Sequence, residues 1–380
     1  MMRSGIFLNI VKLLVLYTAL IILATLVRQL KLTSLSPREQ LPTSNISAVS
    51  PLILRSFGSA DIDGRISHFL KYFVKSRREI FPLTISRDPF HIKNDHVCRK
   101  DKDVDLLVLV ISAAPYFHKR RSIRRTWGNV SQYHSHRVRL VFVLGLSQKA
   151  SVTADIIKEN AVHNDIVQGN FIDAYHNLTH KAVMAMRWTS ENCPNAKLVV
   201  KVDDDTFVNI FKILEEFDGK YRNKSKEILC KVATTGSSPI HRSPNNKWRL
   251  SGDFFPNNTC YPFPHCIGFF VMFSPDIITP VYETAKKAPF IWIDDVYLTG
   301  LLPTILGGIK LTKLDNLLLW RQSDAMQCFQ STIKRCDVRA VLTQRPIAIE
   351  RLWSYALKNR SLLSNSSRTS VKATFYKAAS

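Results

Sequence analysis

The chain has 380 residues, of which 46% are hydrophobic and 22% charged. This length and the many aromatic and branched residues exclude a fibrous or wholly disordered protein and suit one sizeable globular domain with appendages. The formal net charge of +23 attracts anions such as a membrane surface, a nucleotide diphosphate, an acidic glycan or nucleic acid. Zinc-finger spacing and aromatic ribonucleoprotein motifs are absent from the sequence, so no nucleic-acid partner is predicted.

An apolar segment near the N-terminus predicts a membrane anchor. Residues 6–27 are apolar apart from a few polar positions such as Asn9 and Lys12, and their length suits a helix that spans the hydrocarbon core. Lys12 can snorkel toward the headgroups. A cleaved signal peptide is the alternative, although no small-x-small cleavage site follows the segment. The favoured interpretation is a transmembrane signal-anchor at 6–27 behind a short cytoplasmic tail at 1–5.

Glycosylation acceptors and cysteines predict an oxidising, secretory compartment for the rest of the chain. Seven Asn-x-Ser/Thr acceptors favour such a compartment over chance occurrence. Seven cysteines without a C-x-x-C pair favour disulfides over zinc or thiol redox chemistry and leave one cysteine unpaired. Together they indicate a single-pass type II protein with a lumenal body. The acceptors are Asn45, Asn129, Asn177, Asn223, Asn257, Asn359 and Asn365, and the cysteines are Cys98, Cys193, Cys230, Cys260, Cys266, Cys328 and Cys336.

Residues 28–100 are predicted to form a lumenal stem that leads into a globular domain at 101–380. The stretch 32–51 is rich in Ser, Thr and Pro and lacks periodicity, which is typical of an extended segment. A short helix is predicted at 66–74. Cys98 is expected to tie the end of the stem to the domain.

The domain itself predicts an α/β fold, because short apolar runs alternate with helical patterns. The apolar runs have the length of strands buried on both faces of a parallel sheet. In the clearest helix, Leu178, Ala182, Ala185 and Thr189 mark the inner face. This alternation predicts a doubly wound, mostly parallel sheet followed by a smaller half from about residue 230 that shapes a substrate pocket. The predicted strands are 105–112, 138–145, 166–171 and 198–202, and the predicted helices are 120–127, 151–159, 175–191 and 209–217.

Three consecutive aspartates, Asp203, Asp204 and Asp205, end the fourth predicted strand. Ligands bind at the carboxyl ends of strands in open α/β sheets, and adjacent carboxylates resist burial unless a cation relieves their repulsion. Mn²⁺ or Mg²⁺ would do so and could bridge to a diphosphate. On an extended chain, Asp203 and Asp205 would face one site while Asp204 points elsewhere. The alternative is a solvated acidic turn or a cap for the next helix.

A second acidic pair, Asp294 and Asp295, lies among apolar residues. Burial there raises the pKa of at least one carboxyl, and such a group can act as a general base toward a sugar hydroxyl. The alternative is a pair of aspartates that only caps a helix at 296–302.

Basic residues follow the first and third predicted strands. Arg120 and Arg124 share a helical face and could meet a diphosphate or a carboxylate. Asp173 precedes the helix at 175–191, and Lys181 lies in its second turn, near an N-terminus that suits anions. Asp173 as a simple helix cap is the alternative.

In this order, the segments resemble glycosyltransferase family 31, the group of β-1,3-galactosyltransferases and β-1,3-N-acetylglucosaminyltransferases. The first matching segment is Arg120 to Gly128, which reads R-x-x-I-R-x-T-W-G, and Val141 to Gly145 follows. Residues 165–181 match next. Lys201 to Val208 then reads K-x-D-D-D-x-F-V, and residues 294–300 begin Asp-Asp-Val-Tyr where relatives have Glu-Asp-Val-Tyr.

The resemblance implies a GT-A fold, a UDP-sugar donor, dependence on Mn²⁺ or Mg²⁺, inversion at the anomeric carbon and a Golgi location. By position, Asp205, with Asp203 nearby, would hold the metal on the diphosphate, and Asp295 would be the catalytic base. The donor nucleotide site would be lined by Arg120, Arg124, Asp173, Lys181 and Asp204.

Two departures from the family pattern bear on activity. Relatives carry C-x-G-x-G-Y where this chain has Cys266 to Val271, so Phe270 replaces the second glycine and is expected to fill space near the sugar pocket. Relatives often carry a metal-contacting His four residues before a Pro. Here Leu342 precedes Pro346 at that distance, so a water would substitute for the lost ligand.

The sequence thus predicts an inverting transferase that moves a hexose, galactose first, from a UDP-sugar to the 3-hydroxyl of a glycan acceptor in β linkage. The acceptor is expected on a glycoprotein or glycolipid. The alternatives are a β-1,3-N-acetylglucosaminyltransferase, or a weakly active or non-catalytic lumenal relative that binds UDP or glycan. A Golgi membrane location in type II orientation completes the prediction.

Overall fold

The computed structural model describes residues 62–75, 89–99, 103–331, 336–343 and 345–360. The predicted signal-anchor at 6–27, the stretch 32–51 and the acceptors Asn45 and Asn365 lie outside these residues. Within the described part of the chain, no helix is long and apolar enough to cross a bilayer.

Two sheets are built from the described strands. The large sheet contains β1 (Phe90–Ile92), β2 (Leu106–Ile111), β3 (Val138–Leu146), β4 (Ile166–Ile172), β5 (Val199–Asp203), β7 (Glu227–Ala233), β8 (His265–Phe273) and β9 (Lys310–Lys313). Its order is β1-β4-β3-β2-β5-β8-β7-β9. A small sheet contains β6 (Thr206–Val208), β10 (Leu318–Leu319) and β11 (Ala340–Leu342), in the order β10-β11-β6.

The four central strands β4, β3, β2 and β5 pair in parallel, as predicted. β2 and most of its neighbours β3 and β5 are buried on both faces, which explains their continuous apolar sequences. Beyond β5 the direction reverses, because β8 pairs antiparallel with both β5 and β7. β9 joins β7 in parallel, and β1 closes the other edge antiparallel to β4. The predicted mixed α/β architecture with a large, mostly parallel sheet is confirmed.

Helices cover both faces of the large sheet. They are α1 (Ile62–Phe73), α2 (Phe117–Arg125), α3 (Ala150–His163), α4 (Leu178–Asn192), α5 (Ile210–Glu215), α6 (Ile278–Ala285), α7 (the consecutive turns Asp294–Val296, Tyr297–Leu301 and Leu302–Leu306), α8 (Gln322–Gln330) and α9 (346–360). Short helical turns lie at Val130–Gln132, Tyr175–Asn177, Phe217–Tyr221, Pro275–Ile277 and Asp315–Leu317.

Each face of the sheet carries its own hydrophobic core. The first core lies beneath α1, α4, α6 and α7, and the second lies beneath α2, α3, α5 and α9. The predicted inner face of α4 is confirmed: Ala182, Ala185 and Thr189 are buried, and Leu178 is partly buried against the first core.

Part of the predicted stem belongs to the globular body. In α1, Ile62, Ile66 and Phe69 are buried in the first core, although the whole of 28–100 was expected to precede the domain. The Arg65 guanidinium donates to the Leu306 carbonyl at the end of α7. Backbone hydrogen bonds join the end of α1 to residues 253–255. The body therefore begins before residue 100, because the apolar face of α1 needs a core to cover it.

Three disulfides pair six of the seven cysteines. They are Cys98–Cys193, Cys230–Cys266 and Cys328–Cys336, and Cys260 keeps a free thiol. The first disulfide ties the segment before β2 to the end of α4, as expected for Cys98. The second crosses from β7 to β8, the strands beside the candidate site.

Candidate functional site

The aspartate run lies at the carboxyl end of β5, where the chain turns. Asp204 is buried, and its carboxylate oxygens accept hydrogen bonds from Ser112 Oγ at 2.8 Å and from Lys119 Nζ at 2.7 Å. Lys119 Nζ also lies 3.7 Å from Asp205 Oδ2. The expectation that Asp204 points away from a site shared by Asp203 and Asp205 assumed an extended chain, but β5 ends at Asp203. Asp204 and Asp205 instead share one lysine.

Asp203 belongs to a second charged group, centred on Lys201. Lys201 Nζ lies 2.9 Å from Asp294 Oδ2 and 3.8 Å from Asp203 Oδ1. Burial lowers the pKa of the Lys201 amine, but the carboxylates of Asp294 and Asp203 outweigh it and raise this pKa overall. Burial raises the pKa of Asp203 to about 7 against the opposing effect of Lys201, although 40% of the Asp203 side chain remains exposed. The group joins the end of β5 to the start of α7.

Asp295 lies in the first turn of α7, next to this group. Its Oδ1 accepts a hydrogen bond of 2.8 Å from the Val296 N–H. Burial and the charge of Asp294 raise the pKa of Asp295 to about 6, while Lys201 and two backbone N–H groups act in the opposite direction. A Cβ added at Gly268 would lie 2.9 Å from the Asp295 Cβ, so only glycine leaves room for this carboxylate. The Gly268 carbonyl in turn accepts from Lys201 Nζ at 3.1 Å.

The alternative interpretation as helix caps is wrong for the aspartate run, for Asp173 and for the Asp294–Asp295 pair. Asn209, not the aspartate run, caps α5 by accepting from the Lys212 N–H. Asp173 does not cap α4 either, since α4 begins without a side-chain cap. Ile293, before the acidic pair, holds the cap position of α7.

Arg120 and Arg124 are engaged by acceptors within the protein. Arg120 is completely buried, and its guanidinium donates to Glu159 and to the carbonyls of residues 113 and 114. Arg124 donates to Glu159 at 2.6 Å and to Asp165 at 2.8 Å. These side chains fasten α2 to α3 and to the start of β4. Their guanidinium groups are therefore bound by carboxylates of the protein and are not available to a nucleotide. The sequence alone did not indicate these carboxylate partners.

Asp173 and Lys181 also form an internal pair. Lys181 Nζ lies 2.7 Å from Asp173 Oδ1 and donates to the Ser112 carbonyl at 2.6 Å. The other oxygen of Asp173 accepts from the N–H groups of Ala114 and Gly145 at 3.0 and 2.9 Å. The pair therefore holds the ends of β2 and β3 together. Both side chains are nearly inaccessible, so they support the neighbouring site and do not line it.

Phe270 packs in the second core, whereas Asp294 and Asp295 begin α7 on the side of the first core. Cys230 and Val232 of β7 pair with Val271 and Cys266 of β8, respectively. The stretch of β8 between its two paired residues is longer than that of β7, so the extra residues of β8 form a bulge. The bulge turns Phe269 and Phe270 into the second core, while Gly268 faces Asp295. The expectation that Phe270 fills space near the sugar pocket is wrong. Its side chain is fully buried in the second core.

Leu342 does run beside the aspartate turn. β11 pairs antiparallel with β6 and sets Leu342 opposite Thr206. The next residue, Thr343, donates from its backbone N–H and its hydroxyl to the Asp205 carbonyl at 2.7 and 2.6 Å. Leu342 and Thr343 therefore lie beside Asp205, and neither side chain can bind a metal as the histidine of relatives would.

One carboxylate oxygen of Asp205 is a candidate metal ligand. Its Oδ1 is buried and lacks a hydrogen-bond partner among the described residues, which is unusual for a carboxylate oxygen. Burial raises the pKa of Asp205, and Lys119 opposes this. In the described chain, His, Cys, Asp and Glu side chains nowhere gather in a ready-made group of three or more. A cation could therefore bind the unpaired Oδ1 of Asp205, with Asp203 close by, and a bound molecule would have to supply its other ligands.

The important partners that sequence patterns missed are lysines. Lys201 stands two residues before Asp203 on one strand, so its period-two spacing could have indicated a shared face. Lys119 directly precedes Arg120, and only the fold brings it to Asp204. Gly268 belongs to the quoted family segment, yet its contact with Asp295 depends on the path of β8.

Among the glycosylation acceptors that the structure describes, Asn223 and Asn257 are exposed, and Asn129, Asn177 and Asn359 are partly buried. Asn177 is the most constrained. Its amide donates to the Ile172 carbonyl, and the hydroxyl of Thr179 in the same acceptor is buried and donates to the Ile291 carbonyl.

A separate cleft of about 990 Å³ lies on the side of the second core, away from the acidic groups. It is lined by Tyr133, Phe211 and Phe329 and by the end of α9, and its one carboxylate belongs to Glu215. Its lining offers no group of acids and bases comparable to that around Lys201.

The model of the galactosyltransferase family matches residues 118–314, more than half of the chain and the whole region that holds the acidic groups. The chain belongs to the galactosyltransferase family. The resemblance to glycosyltransferase family 31 is thereby confirmed, and membership identifies the chain as a glycosyltransferase.

Individual members of the galactosyltransferase family show the same relationship. β-1,3-Galactosyltransferase 1 of Mus musculus is 30% identical over 281 residues, which cover 72% of this chain and 80% of the relative. β-1,3-Galactosyltransferase 5 of Homo sapiens is 33% identical over 192 residues, which cover 50% of this chain and only 60% of the relative.

Two solved glycosyltransferase structures are distantly similar to this galactosyltransferase-family chain. The WbbM bifunctional glycosyltransferase is 8% identical with a TM-score of 0.37 and covers 68% of this chain and 52% of its own. The galactosyltransferase LgtC is 9% identical with a TM-score of 0.31 and covers 66% and 95%. These scores are too low to support a conclusion about this chain.

Proposed function

We propose that the protein is an inverting glycosyltransferase that moves a hexose, galactose first, from a UDP-sugar to the 3-hydroxyl of a glycan acceptor in β linkage. The observation that carries the proposal is the position of Asp295. This carboxylate has a raised pKa, packs on Gly268 and lies beside the Lys201 group, which joins it to the aspartate run. A base and a donor-binding corner at one sheet edge are what a single displacement requires.

The two neighbouring aspartates of α7 are suited to different roles. Asp294 is held by Lys201 at 2.9 Å and serves as a counter-ion. Asp295 has no lysine at that distance among the described residues, and its pKa of about 6 leaves it ionised near neutral pH but more basic than an ordinary aspartate. Asp295 would accept the proton of the acceptor hydroxyl as that oxygen attacks the anomeric carbon. The diphosphate would depart on the opposite face of the sugar.

Asp205 and Asp203 would hold a divalent cation, Mn²⁺ or Mg²⁺, and the orphaned Asp205 Oδ1 fits this role. When bound, such an ion supplies positive charge that stabilises a diphosphate. Lys119 would contribute a second positive charge at the same corner, and Asp204 and Ser112 would keep it in place. Arg120, Arg124, Asp173 and Lys181 would act by positioning β2 and α2 and not by touching the nucleotide.

One observation favours the non-catalytic alternative. β11 brings Leu342 and Thr343, not an imidazole, beside Asp205, so the protein offers few ligands to a cation. A relative that binds UDP or glycan without transfer would tolerate this. Phe270 does not favour another donor sugar, since it points into the second core. N-acetylglucosamine remains the second donor to test.

A type II location in the Golgi membrane belongs to the same proposal. It is supported by the apolar segment at 6–27, by seven acceptor sequences and by three disulfides. Complete digestion of the C-terminus by protease added outside intact vesicles would contradict it.

The test is transfer by the full-length chain in detergent, with a panel of UDP-sugars, glycan acceptors and Mn²⁺. We expect UDP release that depends on acceptor and is highest with UDP-galactose. Asp295→Asn should lower kcat by about 100-fold or more. UDP binding should remain, because Asp295 lies outside the proposed metal corner. Binding of UDP without transfer to any acceptor would support the non-catalytic alternative instead.

A further inference from the structure

Three aromatic side chains from separate parts of the chain meet beside Asp294 and Asp295. Tyr175 lies in the turn before α4, Trp248 lies in the loop between β7 and β8, and Trp292 lies just before α7. The Tyr175 and Trp292 ring centres are 5.9 Å apart. The Trp292 indole N–H donates to the Arg249 carbonyl at 3.1 Å, which fixes this ring to the Trp248 loop. We call Tyr175, Trp248 and Trp292 the aromatic platform.

The platform is exposed, unlike most large aromatic side chains in the described residues. Tyr175 is 45% and Trp248 43% exposed, and Trp292 is partly exposed. Exposed apolar side chains are usually scattered singly over a surface, whereas these rings lie side by side. Contiguous exposed apolar surface next to polar groups is typical of ligand sites.

The platform borders the proposed base. Trp292 precedes Asp295 by three residues. Burial raises the pKa of Tyr175, its contact with Trp248 lowers it, and the charges of Asp294, Asp295 and Asp203 add to the rise. Trp292 also comes just before the first turn of α7, so a molecule lying on the rings would lie next to the turn that carries Asp295.

We infer that the aromatic platform holds the acceptor saccharide by stacking on the apolar C–H face of one of its sugar rings. The inference rests on the proposed function and names its acceptor subsite. A pyranose presents hydroxyls at its edge and C–H groups on its face, so a flat ring beneath it leaves the hydroxyls free to reach Asp295. Trp292 and Tyr175 set the orientation, and Trp248 extends the surface toward the next sugar.

Lys247 lies against two rings of the aromatic platform. Its ammonium lies 4.3 Å from the Trp248 ring centre and 5.9 Å from that of Tyr175. Ion pairs in the described chain do not include this lysine. Its contacts with both rings place a positive charge on the same surface.

The experiment measures saccharide binding and turnover separately. Saturation-transfer NMR on the full-length chain uses the methyl glycosides of β-galactose, β-glucose, β-N-acetylglucosamine, α-N-acetylgalactosamine, α-mannose and β-xylose. At least one should receive magnetisation through its ring C–H protons. Tyr175→Ala and Trp248→Ala should weaken that transfer and raise the acceptor KM by about five- to tenfold. Trp292→Phe should retain more of both than Trp292→Ala.

Controls distinguish failure of the inference from failure of the proposed function. Tyr355→Ala removes a partly exposed tyrosine on α9, on the other side of the sheet, and should leave both measurements unchanged. UDP-sugar hydrolysis without acceptor and the melting temperature should stay as in the unaltered protein for Tyr175→Ala. Normal acceptor KM and saccharide contact in all three alanine variants would overturn the platform while leaving the transferase proposal intact. Contact with none of the six glycosides would also overturn it. Saccharide binding without any transfer would overturn only the transferase proposal.

Discussion

Asp294 and Asp295 are adjacent in sequence but differ in their surroundings. Asp294 makes a 2.9 Å ion pair with Lys201, whereas Asp295 accepts a backbone N–H and packs against Gly268. Burial and the charge of Asp294 raise the pKa of Asp295, and a carboxylate with a raised pKa is suited to act as a base. Lys201 thus pairs with Asp294 and leaves Asp295 available for proton transfer.

Activity should depend on pH through Asp295. Below about pH 6 this carboxyl is increasingly protonated and can no longer accept a proton, so kcat/KM for the acceptor should fall as pH decreases. Rates measured at fixed metal concentration between about pH 5 and pH 8 test this.

Asp294→Asn provides the control for that profile. The charge of Asp294 raises the pKa of Asp295, so its removal should move the acidic limb to lower pH. An acidic limb that stays in place in Asp294→Asn would assign the titration to another group.

The sequence indicated which aspartates belong to the candidate site, but it did not indicate the partners of the charged side chains. The aspartate run and Asp295 stand out because acidic groups interrupt apolar segments. Arg120, in contrast, reads as a surface cation until Glu159, 39 residues away, is seen to accept from it at 2.6 Å. Nothing local in the sequence specifies that pairing.

At the scale of elements, the strands were predictable and the bulge in β8 was not. A strand buried on both faces needs an uninterrupted apolar run, and β2 and β5 have one. A bulge adds residues to one strand and changes which face each side chain meets. Phe270 was expected near the sugar pocket because it replaces a glycine of the family pattern, whereas its side chain packs in the second core.

The pair of Asp173 and Lys181 should be costly to break. Asp173→Ala leaves the Lys181 ammonium buried without its carboxylate and should lower the free energy of unfolding by about 3–5 kcal/mol. Chemical denaturation monitored by tryptophan fluorescence measures this loss.

A double variant separates the lost pair from a general disturbance. Asp173→Ala with Lys181→Met removes both charges and should recover part of the lost stability. Equal destabilisation in the single and double variants would show that the hydrogen bonds of Asp173 to Ala114 and Gly145 matter more than the charge pair.

Helix α1 should contribute to the stability of the body. Phe69 is 4% exposed and packs against Phe73 and Phe255, so Phe69→Ala should cost about 3–5 kcal/mol by leaving a cavity in the first core. Thermal unfolding of the full-length chain tests this. Ser67→Ala changes an exposed position of the same helix and should have little effect. An unchanged melting temperature in Phe69→Ala would mean that α1 does not remain on the body in solution.

At the scale of the whole molecule, net charge should affect the donor more than the acceptor. A charge of +23 attracts the anionic UDP-sugar, and salt screens this attraction. The KM for UDP-galactose should therefore rise about threefold or more between about 0.05 and about 0.5 M salt. The KM for a neutral saccharide acceptor is the internal control and should change little. Parallel increases in both would indicate a general effect of salt on the protein.

The overall architecture could be predicted because it depends on patterns that repeat along the chain. Alternating strands and helices specify an α/β sheet with helices on both faces. The start of the body could not be placed in the same way, since α1 is separated from its neighbours in the first core by nearly 200 residues of sequence, as its contact with Phe255 shows.

The contact between Gly268 and Asp295 offers a means of capturing substrates. Gly268→Ala would push the Asp295 carboxylate away from its position without removing a single functional group, since the new methyl would lie 2.9 Å from the Asp295 Cβ. Such a protein should still hold donor and acceptor while turning them over slowly. Immobilised on a resin, it could retain its own natural glycan from a mixture long enough for that glycan to be identified.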